Sequence, residues 1–205
     1  MNSVDVADIR RSLRLLENAI RKGCSRRWTL RLWSRFIRLR DNYRCVYCDS
    51  TDGINSHHIF RRTVLRRAEF QTGNGITLCS ECHAKVHAEF NGAPLPGEPF
   101  NLRGGDDQDY IASLFHALER DGRARGLLSD EFYYLSDEVL TAFKSAQGFP
   151  LDLILDMPRV AQAHLLWQLS PVGFYEEVAN CIGHKLLTGD MDPDLRFETP
   201  WNLIN

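Results

Sequence analysis

Two cysteine pairs constrain the folding of this chain more than any other feature. Cys45 and Cys48 form one Cys-x-x-Cys pair and Cys79 and Cys82 another, and the 30 residues between them, 49 to 78, carry the doublet His57-His58. A Cys-x-x-Cys turn lets two thiolates face one ion, and two such turns supply the four sulfurs of a closed tetrahedral zinc site. No coordination position is left open, so such a site holds structure. It pins the start of the insert to its end and stabilises a segment too small to build a core of its own.

The neighbouring histidines point to different chemistry. His83 and His87 follow the second pair four residues apart, so on a helix they share a face and can share a second ion. Ser80 suits the N-cap of that helix and Asn91-Gly92 its stop. Residues 54 to 60, bounded by Asp52-Gly53 and a basic run, suit a short strand that presents His57 and His58 on opposite sides. One of the two can then bind the ion while the other stays free to act as a base. His116, His164 and His184 fall in helical patterns far from this block and read as structural.

The order Arg40-Asp41-Asn42-Tyr43-Arg44-Cys45-Val46-Tyr47-Cys48, then His57-His58-Ile59, then Asn74-Gly75-Ile76-Thr77-Leu78-Cys79-Ser80-Glu81-Cys82-His83 resembles the HNH endonuclease family over roughly residues 33 to 90. The resemblance implies a ββα fold around one metal. It implies His58 as general base, Asn74 as the residue that holds the loop and orients that base, and His83 as a metal ligand joined by His57 and His87. Many members carry Asp where this chain has His57, and an all-imidazole set accepts Zn2+, Ni2+ or Mn2+ as well as Mg2+. The activity implied is hydrolysis of DNA phosphodiester bonds, with a structural Zn2+ and one catalytic divalent ion. The alternative from a different class is a zinc-stabilised nucleic-acid-binding module in which the histidines only stiffen the fold; an RNA substrate is a third option.

Charge supports a polyanionic partner for one half only. The net charge of −2 conceals 17 Lys and Arg against 10 Asp and Glu in residues 1 to 100, and 8 against 17 in residues 101 to 205. The basic half can bind phosphates by releasing counterions, whereas the acidic half is repelled by them. Arg61, Arg62, Arg66 and Arg67 lie between the histidine doublet and Asn74 and are the first candidates for phosphate contacts. Arg27, Arg31, Arg35 and Arg38 form a second basic row, on a predicted helix from 27 to 40 whose other side carries Leu30, Trp33, Phe36 and Ile37.

Helical periodicity organises the rest. Ile9, Leu13, Leu16 and Ile20 predict a first amphipathic helix stopped by Gly23. Residues 92 to 109, rich in proline and glycine, read as a linker between a basic unit, 1 to 91, and an acidic helical unit, 110 to 205. In the second unit Ile111, Leu114, Phe115 and Leu118, then Phe132, Leu135, Val139 and Phe143, then residues 160 to 169, then Tyr175, Val178, Ala179, Ile182 and Leu186 each fit a helical stripe, with 160 to 169 central. The expected class is α+β, mostly helical: a zinc-stabilised ββα core preceded by two helices and followed by a helical domain. That domain is expected to dock another protein or a second copy, or to restrain the first unit, which by analogy suits a defence or mobile-element role. No apolar run is long enough to cross a membrane and no signal-peptide pattern opens the chain, so a cytoplasmic location is expected. Cys24 and Cys181 are then spare thiols in a reducing compartment.

Overall fold

A computed structural model describes residues 4–62, 64–87 and 108–169, with the side chains of 108 and 109 left aside. The predicted stop at Asn91-Gly92, most of the 92–109 stretch, the stripe from Tyr175 to Leu186, Cys181 and His184 lie outside the described residues. Within them the fold is α+β, with six helices and one two-stranded sheet.

Helices α1 (Val6–Arg21) and α2 (Arg26–Arg40) form a hairpin closed by Gly23, whose φ of 62° is the left-handed value that ends a helix without a Cβ penalty. Asp5 caps α1 by accepting from the Ala7 N–H at 3.0 Å, and Ser25 caps α2 by accepting from the Trp28 N–H at 3.4 Å. The buried face of α1 is Ile9, Leu13, Leu16 and Ala19. Ile20, predicted for that stripe, is 46% exposed, because the helix ends one residue later at Arg21 and its last turn is covered only on the Leu16 and Ala19 side. On α2, Leu32 is buried with Trp33, Phe36 and Ile37, while the predicted Leu30 is only half-buried and faces a cleft.

Strand β1 (Asn55–His58) pairs antiparallel with β2 (Gly75–Leu78) in the register His57 opposite Ile76 and His58 opposite Gly75. The Val46 N–H donates to Thr77 O at 2.9 Å and so ties the first cysteine turn to the sheet. Every residue of β2 is buried, for α2 lies directly on it. Gly75 permits that approach: a Cβ there would meet Ile37 Cδ1 at 2.5 Å and a Trp33 ring carbon at 2.6 Å. Helix α3 (Ser80–His87) follows β2 through Cys79 and completes a small ββα arrangement. Ser80 is the first helical residue and not the cap; its hydroxyl donates to Gly53 O at 3.0 Å. Cys79 takes the cap position, its carbonyl accepting from the His83 N–H and its sulfur from the Cys82 N–H at 3.4 Å.

Helices α4 (Gln108–Ala124), α5 (Asp137–Gln147) and α6 (Arg159–Gln168) follow, and α6 packs on both others. Phe132 and Leu135 are buried as predicted, but in the non-helical connection before α5. The Ser136 hydroxyl caps α5 by accepting from the Val139 N–H, so the helix begins at Asp137, more than one turn later than the stripe from Phe132 indicates. These helices share one hydrophobic core with the first half. Phe60 contacts the rings of Phe143 and Trp167 at centroid distances of 5.2 and 5.4 Å. The Gly73 N–H donates to Tyr134 O, the Tyr134 N–H to the Thr72 hydroxyl, and the Ser136 N–H to Gln71 Oε1, each at 2.8 Å.

Candidate metal centres and the cleft between them and helix α2

The four cysteines converge. Cys45, Cys48, Cys79 and Cys82 place all their sulfurs within 4.8 Å of one another, and Cys48 Sγ is 3.6 Å from both Cys79 Sγ and Cys82 Sγ. Disulfides need about 2.05 Å, whereas the edge of a tetrahedron with Zn–S bonds of about 2.3 Å is about 3.8 Å. The spacing therefore fits four thiolates round one ion. Local backbone makes the cluster: the Cys45 N–H donates to Ser50 O at 2.7 Å, the Asp49 N–H returns to Cys45 O at 2.8 Å, and Asp49 adopts φ 63° to close the turn. The hydrogen bond from the Cys82 N–H lowers the Cys79 thiol to about 7, whereas burial raises Cys82 and Cys48 is raised as well, so the cluster by itself favours a single thiolate and a metal would have to displace the other protons.

A second cluster is built from imidazoles. His57, His83 and His87 bring their candidate ligand atoms within 4.8 Å of one another. Their ring centroids are 4.7 to 5.1 Å apart, each pair edge-on. His83 and His87 share a face of α3, and the strand pleat sends His57 toward them. Burial, then the neighbouring His87 and His83, lower His57 to about 3, and burial also lowers His83. Both rings are thus neutral at pH 7 and keep a lone pair for a ligand. His57 Nε2 is buried and has no hydrogen-bond partner, a cost of about 1–3 kcal/mol that a bound cation would remove. The donor set fits a divalent ion with positions left open beyond three nitrogens.

His58 goes to the other side of the strand. Its ring stacks on Trp33, 4.0 Å between centroids and 8° between planes. Its Nε2 is 2.9 Å from Glu69 O, and a carbonyl only accepts, so Nε2 carries the proton and Nδ1 is the ring's acceptor. Burial lowers the His58 pKa, which favours that neutral form.

Asn74 holds the loop that supplies this carbonyl. It is fully buried; its Oδ1 accepts from the Phe60 N–H at 2.8 Å, and its Nδ2 donates to Phe60 O at 3.0 Å and Ala68 O at 3.2 Å. The residue after His58-Ile59 and the residue before Glu69 are thus clamped by one amide.

A cleft of about 440 Å³ joins these parts. Leu30, Trp33 and Ser34 of α2 form one wall; Ser56, His57, His58, His83 and His87 form the other; Arg61 and Arg62 border it. Of the four arginines singled out in the sequence, Arg61 and Arg62 reach the cleft, whereas Arg66 and Arg67 are exposed outside its lining. Arg67 lies 3.6 Å from Glu138, and Arg62 lies 3.7 Å from Glu69. No residue of 108–169 lines the cleft, so the described acidic helices leave it uncovered.

Two residues that open the quoted motif were given no role by sequence reasoning. Arg40 and Asp41 are both completely buried and paired at 2.7 Å. Arg40 also donates to Thr72 O at 2.7 Å, Gly75 O at 2.6 Å and Phe132 O at 3.4 Å, and its guanidinium lies 4.3 Å from the Tyr133 ring centroid. Asp41 Oδ2 accepts from the Thr77 N–H at 2.8 Å. The pair fastens the end of α2, the Asn74 segment and β2 together. The available signal was adjacency of opposite charges at a helix end, which is commonplace on surfaces.

No helix among the described residues is long and apolar enough to cross a membrane. No family model, curated protein or solved structure matches the chain.

Proposed function

We propose that this chain is a metal-dependent endonuclease of the HNH type that hydrolyses DNA phosphodiester bonds. One observation carries the reading: three imidazoles converge on a common centre while a fourth, tied through Nε2 to the Glu69 carbonyl and stacked on Trp33, borders the same cleft with Nδ1 as its acceptor.

Phosphodiester hydrolysis needs a base for water and neutralisation of charge on the phosphoryl group. His58 takes the first task. Its Nδ1 accepts the proton of an attacking water, and the resulting imidazolium spreads its charge toward the Glu69 carbonyl. The Trp33 stack and the Nε2 bond fix the ring's plane and its rotation, so the acceptor is oriented before substrate arrives. Asn74 acts at one remove: by binding Phe60 and Ala68 it sets where the Glu69 carbonyl lies. His57, His83 and His87 hold the catalytic ion, Mg2+, Mn2+, Ni2+ or Zn2+, and Arg61 and Arg62 at the cleft edge supply positive charge to the phosphate. A divalent ion in such a site supplies Lewis-acid stabilisation of the developing negative charge. The sulfur cluster holds a structural zinc and takes no part in the reaction.

The reading is tested by incubating the purified chain with supercoiled plasmid under each of those ions, with His58→Ala alongside. Nicked or linear product from the wild type, and none from the variant at equal zinc content, is expected. Equal cleavage by both, or none by the wild type under any ion, overturns it. The second result would favour a binding module in which the histidines only brace the fold.

A further inference from the structure

Several described arginines have a carboxylate within 4 Å, among them Arg10 with Glu131, Arg26 and Arg62 with Glu69, Arg44 with Asp121, and Arg67 with Glu138. Helix α2 carries four that have none among the described residues. Arg27, Arg31 and Arg35 are exposed and Arg38 is half-buried. At 100° per residue Arg27, Arg31 and Arg38 fall within about 40° of one another, and Arg35 about 40° further round. The buried face of the helix, Thr29, Leu32, Trp33, Phe36 and Ile37, lies on the opposite side. Ser34, which lines the cleft, falls about 20° from Arg27, so the basic row is continuous with the cleft wall.

We infer that this row is a track for the phosphate backbone of duplex DNA, and that it lays the duplex beside the cleft without reading its sequence. The inference rests on the proposed nuclease activity for its purpose, but its readout is binding. From Arg27 to Arg38 the helix rises about 16 Å, and a duplex carries about one phosphate charge per 1.7 Å of its axis, so a duplex lying along the row presents more phosphate charges than the four arginines need. A helix fixes the spacing of the four side-chain attachment points along one line, which suits the stiff axis of a duplex. Single strands are instead held on stacked aromatic platforms, and the one exposed aromatic of α2, Trp28, stands at the edge of the row. The wide major groove of B-DNA also admits a helix, which the narrow one of A-form RNA does not.

The test measures anisotropy of a short fluorescein-labelled DNA duplex against the full chain, over a NaCl series and with no divalent ion added. Four phosphate contacts correspond to a difference of about 3.6 in the slope of log K against log salt. The variant with Arg27, Arg31, Arg35 and Arg38 all changed to Gln is expected to lose that slope. A control with Arg11, Arg14, Arg120 and Arg123 changed to Gln, which removes the same charge elsewhere, is expected to lose less than about one. Should the first variant lose its zinc, Arg27→Gln with Arg31→Gln is expected to lose about half the slope. Equal slopes for both quadruple variants, or tighter binding of a single strand or an RNA duplex, overturn the inference. Plasmid cleavage by the wild type with an unchanged slope in the variant removes the track and leaves the nuclease. Loss of slope in the variant, where the wild type cleaves plasmid under none of the ions, keeps the track and removes the nuclease.

Discussion

The sulfur cluster and the imidazole cluster are both drawn from the ββα segment, yet they differ in every property that separates scaffolding from reactivity. Four sulfurs close the first, with two edges of 3.6 Å and all within 4.8 Å, spacings that suit a tetrahedron round one ion, and none of them lines the cleft. Three nitrogens make the second, all on the cleft wall, with the buried Nε2 of His57 left without a partner. The strand pleat produces the contrast at its sharpest, because adjacent residues of β1 face opposite ways, His57 into the imidazole cluster and His58 onto Trp33. On the proposed reading, the closed sulfur site would supply the stability that lets the same small segment carry an open polar one.

The strongest way to break this comparison is Cys79→Ser. A structural zinc is worth about 10–16 kcal/mol in small zinc-dependent peptides, as much as the whole stability of an ordinary domain, about 5–15 kcal/mol. The variant is expected to lose zinc and its cooperative thermal transition, measured by metal analysis and calorimetry; a chain that melts like the wild type would show the sulfurs to be dispensable. His83→Ala should do the opposite, keeping the zinc and the melting transition while removing the second ion from the metal count and with it plasmid cleavage. His58→Ala should keep both ions and still lose about 10²–10⁴ in cleavage rate, the usual contribution of a positioned base. If single-turnover rates of His58→Ala fall by less than tenfold, the division of labour within the doublet is wrong.

The joint between the clusters is the third place to press. Arg40 and Asp41 link the segment entering Cys45 to Thr77, on the way to Cys79, and to the carbonyls of Thr72 and Gly75 beside Asn74. Arg40→Met leaves Asp41 as a buried, unpaired charge, so a loss of about 3–5 kcal/mol is expected, read as a fall in the urea midpoint with zinc still bound. Adding Asp41→Asn should recover part of it; no recovery would mean that the guanidinium acts through Thr72, Gly75 and Phe132 alone.

That pair also marks where sequence reading ends. The cysteine turns were legible because a ligand pair two residues apart is a local device, and His83 with His87 because one helical turn is local too. The pairing of these with His57 came through the resemblance, and the geometry agrees with it. Burial of Arg40 was illegible: within Arg35-Phe36-Ile37-Arg38-Leu39-Arg40 it looks like one more exposed cation, and the groups that satisfy it come from residues 72, 75 and 132. The stack of His58 on Trp33 was hidden for the same reason, since it depends on α2 approaching β2 over Gly75. Phe132 and Leu135 kept their burial but not their helix, because Phe132 lies in a turn closed on Ser129 O and the backbone N–H groups of Tyr134 and Ser136 donate to Thr72 and Gln71 instead of along a helix.

Glu69 offers the finest test, because its carbonyl and its carboxylate act in different places. The carbonyl fixes His58, while the carboxylate accepts from Arg26 at 2.6 Å and lies 3.7 Å from Arg62 at the cleft edge. The change Glu69→Gln keeps the carbonyl and removes the charge, so both arginines are released and the backbone that orients the base is held less firmly. Groups one shell removed from a metal or its base usually cost about 10–100-fold, and this one retains its backbone bond, so a fall of about tenfold in cleavage rate is expected. Duplex affinity should rise or hold, since two cations beside the cleft lose their internal partner. A rate that falls as far as in His58→Ala would place the carboxylate itself in the reaction; a rate that does not change would leave Asn74 and Trp33 sufficient to orient the ring.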